Sequence, residues 1–261
     1  MKKIIALLII LIVCLASWGS VIVVYADKAY PVASAATTKT LVTPTPKFIN
    51  DKPATPAPEV LPQVVFQGSN SKPEIALTFD DGPNPAATQQ VLDILKSYHI
   101  HATFFCIGEN ARDYPALVAQ EQADGNVVGN HTWDHPDLTT VSAPAIQQQL
   151  TDTSAVLKSA TGVTPTLFRP PYGAINKTVQ QQANQQHLQP VLWSIDTQDW
   201  SMPGTGAIVH AVLDHAGNGD IILMHDGGGN RTQTIAALPK IIEGLQQQGF
   251  TLVTVPQLIN G

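Results

Sequence analysis

Apolar positions from about residue 64 onward recur with two different periods, and the periods alternate along the chain. At 75–79, Ile75, Leu77 and Phe79 alternate with Ala76 and Thr78, the period of two that marks a buried strand. At 87–98, Val91, Leu92 and Leu95 have helical spacing. The same alternation predicts strands at 102–107, 126–130, 167–169, 190–195, 221–224 and 251–255, separated by helices at 114–124, 143–162, 176–186, 205–216 and 232–248. Strands alternating with helices predict an α/β fold: a parallel sheet covered by helices, either open or closed into a barrel of about seven strands.

The amino-terminal quarter has a different pattern. Lys2 and Lys3 precede an uncharged apolar run from Ile4 to about Ala26, which reads as an export segment. It is about 20 residues long, the length of a membrane span, and Val24-Tyr25-Ala26 also offers a small-residue cleavage site. Residues 1–26 are therefore a signal peptide or an uncleaved signal anchor that partners a membrane. Residues 27–63 are rich in Pro, Thr and Ala, as in Thr43-Pro44-Thr45-Pro46, and predict an extended, disordered linker. The globular domain is expected over 64–261.

Composition narrows the partners. The 261 residues are 44% hydrophobic and 13% charged, enough for a sizeable core, and the net charge of −6 without basic runs argues against nucleic acid. The two cysteines, Cys14 and Cys106, are not expected to pair, because Cys14 lies in the export segment.

Candidate chemistry sits just after strands, where such folds build their sites. The 75–79 strand runs into Asp80-Asp81-Gly82-Pro83: two adjacent carboxylates that need a metal, an arginine or solvent to offset their charge. His131 and His135, with three residues between them, suit a divalent ion that takes a carboxylate as third ligand and keeps a fourth position open. Arg169 ends another strand and opens Arg169-Pro170-Pro171-Tyr172; it is a partner for the free aspartate or a surface arginine beside a Pro-Pro turn. Asp196, Asp199 and Trp200 follow the 190–195 strand, and the indole is either a sugar platform or a core residue. His225 ends the 221–224 strand, where hydrolysis at a metal would need a proton donor.

Together these segments resemble, in order, the five motifs of the polysaccharide deacetylases, carbohydrate esterase family 4, also called the NodB homology domain. The resemblance covers about residues 70–258. It implies a distorted (β/α) barrel, usually of seven strands, with Asp80 as general base, and Asp81, His131 and His135 as metal ligands. It further implies that Arg169 holds the base, Asp199 pairs with His225, and His225 is the general acid. The Tyr172 backbone N–H would support the oxyanion, Trp200 would line the groove and Leu223 would line the acetyl pocket. Trp133 and Asp134 are a less usual filling of the histidine motif and are expected to shape the groove rim. The implied cofactor is a divalent metal, Zn2+ with Co2+ or Mn2+ as alternatives. The implied substrate is an N-acetylglucosamine polysaccharide, first peptidoglycan, then chitin oligosaccharides or acetylxylan. The amino terminus and linker point to the outer face of a Gram-positive envelope. The different-class alternative is a non-catalytic glycan-binding surface module.

Overall fold

The computed structural model describes residues 61–261. The expected segment 1–26 and residues 27–60 of the expected linker 27–63 lie outside the described residues. Among the described residues, no helix is long and apolar enough to cross a membrane.

Strand β1 (Glu74–Asp80) is the centre of the sheet. It pairs in parallel with β2 (Thr103–Cys106) on one side and β7 (Ile221–His225) on the other. Beyond β2 come β3 (Val127–Asn130), β4 (Leu167–Phe168) and β5 (Gln189–Pro190); beyond β7 comes β6 (Ile195–Asp196). The order is β5-β4-β3-β2-β1-β7-β6, with β8 (Thr251–Leu252) pairing with the first residues of β1. Every pairing between these strands is parallel.

The alternation in β1 has a physical reading. Ile75, Leu77 and Phe79 pack into one apolar cluster with Val91, Leu92 and Leu95 of α1 (Ala87–Ser97) and Leu238, Ile241, Ile242 and Leu245 of α7 (Thr232–Gln247). Ala76 belongs to a second cluster with Phe105, Leu167, Val191 and Ile221. One face of β1 thus meets the outer helices, and the other carries Ala76, Thr78 and Asp80 into the curled interior.

Three elements differ from the expectation. The single strand at 190–195 is two short strands, β5 and β6, which form opposite edges of the sheet. Between their facing ends the chain makes five steps, about 17 Å at full extension, so the edges must curl toward each other into a half-closed barrel. Val65 occupies the seam: its N–H donates to the Pro190 carbonyl at 3.0 Å, and its carbonyl accepts from Leu192 N–H at 2.7 Å. The last predicted strand, 251–255, stops at Leu252 and gives way to a helix, Val255–Asn260. Val255 and Leu258 of that helix join the interior cluster. A capping box between Thr254 and Gln257 starts it, with Pro256 in its first turn. A short helix at Gly108–Asp113 was also not expected. The remaining helices, α3 (Pro115–Ala123), α4 (Ala143–Thr161), α5 (Lys177–Gln185) and α6 (Thr205–Leu213), lie where the periodicity puts them, to within a few residues.

Candidate active site and metal centre

Parallel pairing delivers the carboxyl ends of the strands to one rim. Asp80 and His225 stand in register as the last residues of β1 and β7, and Asn130 ends β3 opposite Phe168 of β4. The next residues in the chain, Asp81, His131 and Arg169, therefore follow the ends of β1, β3 and β4 on that one rim. Asp80, Asp81, His131, His135, Tyr172, Trp200, Leu223 and His225 line one cleft of about 500 Å³, together with Trp193, Asp196, Gly228 and Arg231.

Asp81, His131 and His135 form the tightest cluster. Asp81 Oδ1 lies 3.5 Å from His131 Nε2 and 3.4 Å from His135 Nε2. One donor atom from each of the three lies within 4.8 Å of the others. His131 Nδ1 is 2.7 Å from the Arg169 carbonyl oxygen and donates to it, so the neutral imidazole presents its Nε2 lone pair to the cluster. Asp81 Oδ1 is buried with no hydrogen-bond partner. Ligands about 2.1 Å from a tetrahedral ion stand about 3.4 Å apart, which is the spacing of this carboxylate oxygen from each imidazole. An orphaned buried oxygen between two imidazole nitrogens fits a divalent ion. Burial works against the Asp81 charge, but His131, His225 and His135 more than offset it and hold the carboxyl well below the usual carboxylate range. For His131 burial opposes the proton, yet Asp80 and Asp81 raise the imidazole. Burial and the neighbouring His131 lower His135. Asp81, His135 and Tyr172 all hold positive φ, of 70°, 62° and 60°. Such conformations cost about 1–3 kcal/mol in non-glycine residues and gather where geometry is over-determined.

Asp80 is held from behind. Its Oδ1 accepts from Arg169 Nη1 at 2.8 Å, and Arg169 is completely buried. The same nitrogen donates to Thr78 Oγ1 at 2.8 Å, while Nε and Nη2 donate to the Val191 and Leu192 carbonyls at 3.2 and 2.9 Å. The guanidinium also stacks on the Phe105 ring, 4.2 Å from its centroid. Arg169 thus ties the seam between β5 and β6 to the end of β1. Of the two readings open from sequence, partner of the free aspartate is the one observed.

His225 faces Asp80 from the other side. Its Nδ1–H donates to Asp199 Oδ1 at 2.7 Å, and its backbone N–H donates to Asp199 Oδ2 at 2.9 Å. Thr234 Oγ1 donates to the same Oδ2 at 2.7 Å. Burial pulls the imidazole down, and Asp199, with help from Asp80 and Asp81, outweighs it and raises the imidazole from its ordinary value. Burial likewise opposes the Asp199 charge, and His225 and Thr234 outweigh it.

Tyr172 and Trp200 are strongly exposed, at 71% and 55%, and Leu223 is a buried residue of the same cleft. Large exposed rings on a cleft wall suit the apolar faces of sugars. Trp193 adds a third aromatic that sequence reasoning had placed inside a strand; Gly173, with φ of 66°, leaves room for its ring. Trp133 and Asp134 do not line this cleft. Trp133 packs over Gly108 and under Arg112, and Gln149 binds the Trp133 N–H and the Asp134 side chain. Arg231 and Gly228 also escaped the sequence reading, because the signal lay after the His225 motif in a glycine-rich turn.

The comparisons with known proteins agree with this geometry. The family model of polysaccharide deacetylase matches residues 67–191. The chain is 42% identical over 198 residues to a peptidoglycan-N-acetylglucosamine deacetylase of Bacillus cereus, covering 75% of this chain and 92% of that one. It is 46% identical over 184 residues to the peptidoglycan-N-acetylmuramic acid deacetylase PdaC of Bacillus subtilis, covering 70% of this chain but spanning 38% of PdaC's length. Among solved structures, the Bc1960 peptidoglycan N-acetylglucosamine deacetylase superposes with a TM-score of 0.74 at 38% identity, over 76% of this chain and 92% of that chain.

Proposed function

The chain belongs to the polysaccharide deacetylase family, a family of amide hydrolases, and on that footing we propose that it removes acetyl groups from N-acetylglucosamine residues of peptidoglycan. One observation carries the reading: a buried, arginine-held carboxylate, Asp80, and an aspartate-held imidazole, His225, flank the Asp81–His131–His135 cluster in a single aromatic-walled cleft.

Asp81, His131 and His135 would hold the ion, with zinc the choice their nitrogen and oxygen donors favour and Co2+ or Mn2+ as alternatives. When bound, the ion supplies Lewis-acid polarisation of the acetamide carbonyl and of water. The protein groups do the rest. Asp80 accepts a proton from the attacking water, and Arg169 fixes which of its oxygens faces the cleft. The Tyr172 backbone N–H supports the oxyanion, a donor worth about 10²–10³ in rate. His225 gives the proton at Nε2 to the departing sugar amine, because Asp199 holds the Nδ1 proton on the other side. The C–N bond breaks, leaving acetate and a free amino sugar. Leu223 forms the floor under the acetyl methyl, and Trp200 and Tyr172 hold the ring.

The export segment at 1–26 and the Pro/Thr-rich stretch at 27–63 support a location on the outer face of a Gram-positive envelope, anchored or secreted. The test of substrate is acetate release by the full chain from peptidoglycan, chitin oligosaccharides and acetylated xylan. Release chiefly from peptidoglycan supports the reading; release only from chitin oligosaccharides or xylan moves the substrate; no release from any, with metal bound, favours the binding-module alternative.

A further inference from the structure

The cleft holds a cation that this hydrolysis leaves without a task. Arg231 follows the Gly227–Gly228–Gly229 turn and caps the start of α7. It is only 5% exposed, yet it lines the cleft. Its Nε donates to the Gly227 carbonyl at 2.5 Å. Among the described residues, no acceptor is found for its two terminal amino groups, and no carboxylate lies within ion-pair distance of it. Arg169 shows the contrast, with all three of its nitrogens bonded and an aspartate beside it.

Burying a guanidinium without a counter-charge is costly. A buried one whose free donors border a cleft is an anion site awaiting its ligand. The other titratable residues of the lining are the carboxylates Asp80, Asp81 and Asp196 and the imidazoles His131, His135 and His225, which the metal centre and the acid take up, so Arg231 is the lining's one cation without such a task. Those three carboxylates disfavour a phosphate dianion more than a singly charged carboxylate. Arg231 makes no ion pair with Asp80, Asp81 or Asp199. Its terminal amino groups are therefore not committed to the reacting carboxylates and are free for an acid on the substrate.

We propose that Arg231 is a carboxylate subsite that selects glycan carrying a free carboxylate on the sugar next to the N-acetylglucosamine under attack, as on peptide-free peptidoglycan strands whose lactyl ether ends in an uncapped acid. This rests on the deacetylase reading given above. It predicts a preference for strands stripped of stem peptide over strands whose lactyl group is closed as an amide.

The test uses the full chain and two probes: peptide-free glycan strands, and the same strands with their carboxylates converted to methyl amides. Acetate release gives kcat/KM on each, and quenching of cleft tryptophan fluorescence gives binding independent of turnover. The expected result is a preference for the free acid of about tenfold or more, expressed in KM, that collapses toward one in Arg231→Gln and is partly kept in Arg231→Lys. An equal loss on both probes would make Arg231 a structural residue and overturn the proposal. So would an unchanged ratio, or a change confined to inhibition by free acetate, which would assign the site to the product. If neither strand is turned over while neutral chitin oligosaccharides are, the peptidoglycan reading fails; the binding ratio still decides the role of Arg231.

Discussion

Arg169 and Asp80 meet at 2.8 Å in a place closed to solvent, and the same guanidinium holds the carbonyls of Val191 and Leu192. One side chain therefore orients the candidate base and closes the seam of the half-barrel. Removing one partner of a buried pair typically costs about 3–5 kcal/mol, because the other charge is left uncompensated. Arg169→Met should lose stability in that range by urea denaturation. Arg169→Lys should also be destabilised, since an ammonium cannot replace a planar fork that serves four acceptors. A loss below about 1 kcal/mol for Arg169→Met would contradict this account.

The His225–Asp199 contact sets a pH dependence. Asp199 raises the imidazole, so the folded protein keeps His225 protonated to higher pH than a free histidine would allow. A group that must donate a proton is active below its pKa and fails above it. Asp199→Asn should shift the alkaline limb of kcat/KM to lower pH and cut the plateau by about 10²-fold or more. The same raised value means that this pair stabilises the fold fully below the ordinary histidine range and that the gain is lost as pH rises through the folded value.

The three-residue cluster makes a thermodynamic prediction. Zinc that binds only the folded chain stabilises it by RT ln(1 + [Zn]/Kd), about 2.7 kcal/mol at a hundredfold excess over Kd. Thermal unfolding of the full chain should shift upward with zinc and return with chelator. His135→Gln should weaken zinc by more than the about 10–100-fold that loss of an outer-shell partner costs, and should abolish the shift at the same zinc concentration.

Behind the cleft lies a carboxyl pair that the proposed chemistry does not use. Asp226 and Glu121 are buried, and each leaves one oxygen unpaired. Burial pushes Asp226 up to about 7, with Thr88 opposing and Asp81 and Asp80 adding to the rise, and burial and Asp226 push Glu121 well above its ordinary range. A carboxyl raised in the fold stabilises fully below its unfolded pKa, about 3.9, and that contribution is lost as pH climbs toward 7. Asp226→Asn removes the loss. In chelator, the stability of the variant relative to the parent chain should improve between pH 5 and pH 8 by more than about 1 kcal/mol, measured by denaturant unfolding at both values.

Much of this centre was legible in the chain because each candidate group follows a short apolar strand, and parallel pairing carries strand ends to one rim. Asp80 and His225 are the plainest case: two runs that read as buried strands end in them, and the register sets them side by side. Other features were hidden for physical reasons. Residues 190–195 look like one strand because apolar positions continue through the seam; only the curl of the sheet assigns their two ends to opposite edges. Trp193 was lost with them. The terminal helix carried a readable signal, Thr254 and Gln257 three apart ahead of apolar residues, but Val253 and Val255 beside it favour a strand by period two. Arg231 had no motif around it, and its isolation from carboxylates is a tertiary fact.

The most direct test of the central claim compares zinc content and acetate release in the parent chain and in Asp80→Asn, with peptidoglycan as substrate. Asp80 lies beside the metal ligands, with His131 Nε2 3.7 Å from its Oδ2, but belongs to the arginine. The account predicts one zinc per chain in both proteins, acetate release abolished by chelator and restored by zinc in the parent, and a loss of about 10²–10⁴-fold in the variant. Near-parental release by zinc-loaded Asp80→Asn would contradict it.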